Sequence, residues 1–427
     1  MNERTRALLP AVDIPLLYFG FAHVCLAAAF VILIVDSSLP GPFFLHPRMV
    51  AVVHLVTLGW ISGSILGAFY IVAPLALRMP LSGGWLDRGA FAAFAIGVIG
   101  MVTQFWSAQY AAMAWPASLV AAAVLHVAIR AWSGLAAAVV PWPIKLHVAL
   151  AFANMIGASA FGIFLGLNRR HAWVTWSPLA SAYAHLHVAA VGWATMMFVG
   201  LAYRLIPMIV PTVMPTGRSL ALSAAFLQAG LLLVVVGLIK EAAAWQAVGA
   251  WLIIAGLTSF VIHVRIALRH KLPPPAALPK PDWATWQTHV ALSWLLVAGG
   301  AGVYITWPTH GPAVAAGWLY GTAGLIGFLA QVIAGMQGRL LPMQAWYAAF
   351  NAAGRKPPAR SAHVLASPRL AQLNLCCWTI GVPALALGLT RVSPPMIRIA
   401  SVMLFAGVVL GAAQALHIVR TARGDSG

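Results

Sequence analysis

Acidic residues are nearly missing from this chain: seven Asp and Glu stand against 25 Lys and Arg in 427 residues, and charged residues of both signs make up only 7%. Water-soluble domains carry roughly a quarter of their residues charged, so a fold that must cover itself with polar side chains is excluded. Cysteine is almost as scarce. Cys25, Cys376 and Cys377 cannot build a disulfide framework, and each falls in an apolar run where a thiol packs as a small hydrophobe. The segment MNERTRALLPAVD leads into the first apolar run without a small-residue cleavage site, so no removable signal peptide is expected.

What is present instead is apolar: 62% of residues are hydrophobic, and the mean hydropathy is +0.90. A helix needs about 20 apolar residues to cross the hydrocarbon core. Twelve runs qualify, with approximate cores at 15–36, 47–76, 88–107, 111–132, 143–167, 180–210, 218–240, 244–269, 286–305, 315–343, 370–391 and 396–420. The expected fold class is therefore all-α, a polytopic membrane bundle in contact with lipid. The net charge of +18 does not point to a nucleic-acid partner, because the basic residues lie in short loops between spans. With the N-terminus in the cytoplasm, only Arg48, Arg169, Arg170, Lys240, Arg391 and Arg398 fall outside, leaving the other 19 of 25 inside. The positive-inside rule then puts both termini in the cytoplasm.

One stretch recurs. HLVTLGWISGSILGAFYIVAP, residues 54–74, aligns without a gap on HVAAVGWATMMFVGLAYRLIP, residues 187–207, at an offset of 133 (187 − 54). The alignment pairs His54 with His187, Gly59 and Trp60 with Gly192 and Trp193, Gly67 with Gly200, Tyr70 with Tyr203 and Pro74 with Pro207. A third copy lies 135 residues further (322 − 187), where Gly327, Phe328, Gly335, Arg339 and Pro342 match but Thr322 stands in place of the histidine. Three blocks of four spans follow, about 1–135, 136–275 and 276–427, within a single membrane domain. Other histidines track the same period: His23, His147 and His289 in first spans, and His126, His263 and His417 in fourth spans.

Depth divides the histidines into two layers. His54 and His187 belong to the outer halves of their spans, with His46, His171, His185 and His310 near the same face, while the first-span and fourth-span set belongs to the inner halves. For the inner set the ordinary role is a hydrogen bond to a carbonyl or hydroxyl on the next helix. The outer pair admits more. Equivalent histidines on two helices are how two axial ligands of a haem iron can be supplied. Gly67 and Gly200 would leave room for a macrocycle and Trp60 and Trp193 would wall it, although the same residues also serve close helix packing. His185 lies two residues from His187, about 200° round the helix, so it can face a different site from its neighbour.

These residues carry a family resemblance. AHLHVAAVGWATMMFVGLAYRLIPM is similar to the histidine-rich tenth helix of haem-copper oxidase subunit I, where a histidine step serves two haems, and HLVTLGWISGSILGAFYIVAP resembles that family's second helix. The resemblance implies haem b, with copper as a further cofactor, and a metal or gas site at His185 extended by His46 and His310. It implies a bacterial inner-membrane location, a quinol or cytochrome as electron donor and a small diatomic gas, nitric oxide or oxygen, as the molecule handled. The seventh span, RSLALSAAFLQAGLLLVVVGLIKEA, has no histidine to hold the oxidase copper, and no acid sits in mid-span. A standard proton-pumping oxidase is therefore not expected. The chain looks most like a divergent relative of the twelve-span NnrS-type haem and copper proteins, without their His-Ala-His-Glu element. A cofactor-free transporter or metal permease, and a non-catalytic oxidase-like subunit, are the rival expectations.

Overall fold

The computed structural model describes residues 8–41, 45–273, 281–307 and 314–424. Among the described residues twelve helices are long and apolar enough to cross a membrane: α1 Ile14–Val35, α2 Pro47–Leu75, α3 Trp85–Trp106, α4 Ala114–Ala137, α5 Trp142–His171, α6 Pro178–Ile209, α7 Arg218–Ile239, α8 Ala243–Arg269, α9 Trp283–Ile305, α10 Val314–Ala352, α11 Pro368–Thr390 and α12 Pro394–Arg423. The protein is an all-helical multi-pass membrane bundle. Among the described residues no strand forms, and one antiparallel bridge pairs Thr212 with Lys271.

Local chemistry sets the helix starts. Asp13 caps α1 with a 3.0 Å bond from the Ile14 N–H, while Ser177 and Ser367 cap α6 and α11, each followed by proline at the first helical position. Such a residue satisfies an orphan N–H, and proline there gives up only an N–H that had no partner. The largest departure from the sequence reading is α10, which runs nine residues past the expected end at 343 (352 − 343), straight through Pro342. Proline is tolerated inside a membrane helix because its neighbours satisfy the backbone groups it frees.

Packing groups the helices into two compact units. One holds α1, α2 as far as Val72, α9 as far as Ala301, and α10, α11 and α12. The other begins at Ala73 and holds α3 through α8. This grouping does not follow the three sequence blocks: α1 and α2 pack with helices of the third, and α3 and α4 with helices of the second. Each unit buries some of its aromatics, with Trp60, Tyr18 and Trp378 in the first and Trp193, Tyr203 and Phe152 in the second nearly inaccessible. Large apolar side chains on the outward faces, such as Val24 at 66%, Ile399 at 63% and Leu296 at 75% exposure, meet lipid.

Candidate functional site

The repeat has a structural counterpart that hydropathy does not disclose. Each copy opens into a π-helical stretch, at Leu55–Ser62 in α2, Val188–Thr195 in α6 and Thr322–Ala330 in α10. The first two coincide under the 133-residue offset, and His54 and His187 are the residues immediately before them. A hydroxyl supports the widened turn in both: Ser62 Oγ donates to the Thr57 carbonyl and Thr195 Oγ1 to the Ala190 carbonyl, each five residues back and each at 2.9 Å. In the third copy Ala330 takes that place, and its carbonyl accepts a 3.2 Å bond from Trp60 Nε1. π-Helical turns are rare and recur at functional sites.

The two histidines are set alike. His54 Nδ1 lies 2.8 Å from the Val50 carbonyl, and His187 Nδ1 lies 2.7 Å from the Tyr183 carbonyl. A carbonyl only accepts, so Nδ1 carries the proton, and in the neutral imidazole Nε2 carries the lone pair. That tautomer is the one a metal-bound histidine uses, with its second nitrogen anchored to backbone. Both residues are of intermediate exposure.

The glycines expected to make room stand at close helix contacts. A Cβ on Gly67 would stand 2.8 Å from Tyr18 Cβ, and one on Gly200 would stand 2.5 Å from His147 Cβ. Gly59 and Gly192 likewise meet Cys25 and Asn154, the latter with Leu231. All four are places where α1 or α5 comes against the repeat helix, so close packing is the role their surroundings show. Trp60 and Trp193 are buried in the same contacts: the Trp60 ring stands edge-on to His23 at 5.0 Å, and Trp193 lies 5.3 Å from Phe152.

His185 faces α5, with its ring 6.1 Å from Phe161 and its Cε1 3.0 Å from where a Cβ on Gly162 would be. His46 is exposed at the start of α2, and His310 lies outside the described residues. Among the described residues no three His, Cys, Asp or Glu side chains gather into a metal-binding group. No protein-family model matches the chain, and no curated protein is similar to it.

Arg169 and Arg170, two of the cations expected on the outer face, close the C-terminal end of α5. They line an open cavity of about 590 Å³ with Ala108, Gln109, Tyr110 and Pro178, and the Arg169 guanidinium lies 4.5 Å over the Tyr110 ring. Arg204, in the second copy, donates from Nε to the Ala76 carbonyl at 2.8 Å. Its counterpart Arg339 pairs with Asp282 at the start of α9. Arg339 lies within α10, which continues to Ala352.

Three of the inner-layer histidines bond a neighbouring helix. His147 Nε2 lies 2.8 Å from Ser223 Oγ, which is also 3.0 Å from Tyr203 Oη, and His263 Nε2 lies 3.0 Å from Ser219 Oγ. His126 Nε2 and Arg130 both bond Asp87, whose carboxylate is 1% exposed and also accepts from the Gly84 N–H at 2.7 Å. The anchoring serines sit on α7, a helix with no histidine of its own. Threefold equivalence does not extend to His23, His147 and His289. Gly67, Gly200 and Gly335 are equivalent, and they meet Tyr18, His147 and Thr288. By contact, His23 is five residues out of register with His147 (23 − 18), and His289 is one (289 − 288).

Proposed function

We propose that this protein binds b-type haem in the membrane, with His54 and His187 supplying the iron ligands, and that it handles a small diatomic gas such as nitric oxide or oxygen with electrons from a quinol or cytochrome. One observation carries the reading. At both positions, 133 residues apart, the imidazole precedes a π-helical stretch, gives its Nδ1 proton to the carbonyl four residues back and holds its lone pair on Nε2. Haem suits histidines that, among the described residues, belong to no three-ligand cluster, because the macrocycle already fills four positions on its iron. His185, with His46 and His310, is the candidate for copper or a gas-binding position. The excess of basic residues in one set of loops supports a bacterial inner membrane with both termini in the cytoplasm.

The experiment is an optical spectrum with metal analysis on detergent-purified full-length protein. Stoichiometric iron and a sharp reduced alpha band are expected, lost or shifted in His54→Ala and in His187→Ala and unchanged in His263→Ala. A wild type without haem absorbance, or a spectrum indifferent to both substitutions, would sink the proposal and turn attention to ion transport in vesicles. A spectral shift with carbon monoxide supports gas handling. Its absence in a haem-loaded protein points to an electron carrier or a non-catalytic subunit.

A further inference from the structure

The third copy lost its histidine and gained amides. Along α10 stand Gln331, Gln337 and Gln344, with 0%, 5% and 1% exposure. Their counterparts in the other copies are Met196 and Gly63, Ala202 and Phe69, and Ile209 and Ala76 (331 − 135 = 196 and 196 − 133 = 63, the others likewise). None of those six is polar. An amide in the interior of a membrane protein is costly unless something hydrogen-bonds it.

Protein groups fill only part of that demand. Gln337 Nε2 donates to Ser64 Oγ at 3.2 Å, and Gln344 Nε2 donates to the carbonyls of Ala11 and Val12 at 2.5 and 3.1 Å. Gln344 Oε1 and both polar atoms of Gln331 are buried with no hydrogen-bond partner among the described residues, and so are Arg339 Nε and, on α9, Gln287 Nε2. Gln287 directly precedes Thr288, which packs against Gly335, so it lies level with the stretch between Gln331 and Gln337. All of these residues belong to one unit.

At a rise of 1.5 Å per residue the 13 positions from Gln331 to Gln344 (344 − 331) cover about 20 Å, roughly two-thirds of the hydrocarbon core. Gln337 and Gln344 share a face of α10, since seven residues turn it about 700°, and Gln331 lies about 120° round. The polar strip therefore winds through the unit. Side chains this enclosed are out of reach of lipid, of a partner chain and of any large ligand. Water suits such groups chemically, because it both donates and accepts and needs only two to four polar partners.

We propose that the glutamines of α10 line a chain of water molecules running inside their six-helix unit from Gln344, past the Asp282–Arg339 ion pair, to Gln331, a hydrated path able to carry protons. Each orphaned amide atom bonds a water, and successive waters link the three levels. This inference stands whether or not the protein binds haem.

Radiolytic hydroxyl labelling in H2-18O, on the full-length protein in nanodiscs, tests it, because side chains beside internal water are oxidised in place. Phe328 and Leu340 lie three residues from Gln331 and Gln337 and are 2% and 6% exposed, matching Phe152 at 0% and Leu201 at 8% in the other unit. Phe328 and Leu340 should incorporate 18O at least about tenfold faster than Phe152 and Leu201. The double variant Gln331→Leu, Gln337→Leu should bring them to the slower rate. Equal rates in the wild type overturn the proposal, and so does a fast rate that the double variant leaves unchanged. The wild-type comparison decides alone if that variant does not fold.

Discussion

Replacing Gly200 by alanine tests the helix contact on which the second copy rests. The new methyl would lie 2.5 Å from His147 Cβ, 3.4 Å from its Cγ and 3.6 Å from its Cα. Ordinary carbon contacts are about 3.5–4.0 Å, so α5 and α6 must separate locally by about 1–1.5 Å. No rotamer change relieves this, because the backbone fixes the Cβ of His147. Overpacking costs about 1–3 kcal/mol. Loosening the His147–Ser223 and Tyr203–Ser223 bonds adds about 0.6 kcal/mol each, the average for interhelical bonds in membranes. Alanine's better helix propensity returns about 0.5–1 kcal/mol, so the net loss should be about 1–4 kcal/mol in an unfolding titration in mixed micelles. Gly157→Ala on α5, where a Cβ meets nothing within 4 Å, is the control and should be neutral or slightly stabilising. Adding His147→Gly to Gly200→Ala should relieve the clash, whereas adding His147→Ala should not, since alanine keeps the offending Cβ. A Gly200→Ala protein within about 0.5 kcal/mol of Gly157→Ala would refute the reasoning.

Three further substitutions probe the polar contacts. Asp87→Ala leaves Arg130 and His126 without their shared carboxylate, and because those two are 29% and 25% exposed the cost should be about 2–3 kcal/mol, below the range for fully buried pairs; a loss under about 0.5 kcal/mol in the same titration would show the cluster to be dispensable. Ser223→Ala removes the partner of both His147 and Tyr203 and should cost about 1–2 kcal/mol. Combined with His147→Ala it should cost less than the sum, and strict additivity would argue against one shared network. In the turn Ala362–Val364 between α10 and α11, burial and then the positive charge of Arg339 hold the His363 imidazole below its ordinary value. The unfolded chain therefore takes up a proton that the folded one resists, so stability should be constant above about pH 6.5 and fall on acidification below it. His363→Gln should flatten that slope, and an unaltered pH profile would contradict the assignment.

Hydropathy alone located all twelve spans to within a few residues at most ends, because crossing a bilayer demands about 20 apolar residues whatever they pack against. The repeat also marked Gly67 and Gly200, whose alternative role of close helix packing is the one their contacts show, since tight helix approach needs small residues at fixed spacing. What the chain could not disclose is how each helix is turned. The equivalence read among His23, His147 and His289 failed because Tyr18, His147 and Thr288 are the residues that meet Gly67, Gly200 and Gly335. Ser219 and Ser223 on the histidine-free α7 gave no signal until the fold set them beside His263 and His147. The π-helical turns after His54 and His187, and the orphaned amides of α10, were also decided only in three dimensions. Apolarity belongs to each residue singly, whereas helix rotation and hydrogen-bond satisfaction depend on neighbours that lie far away in sequence.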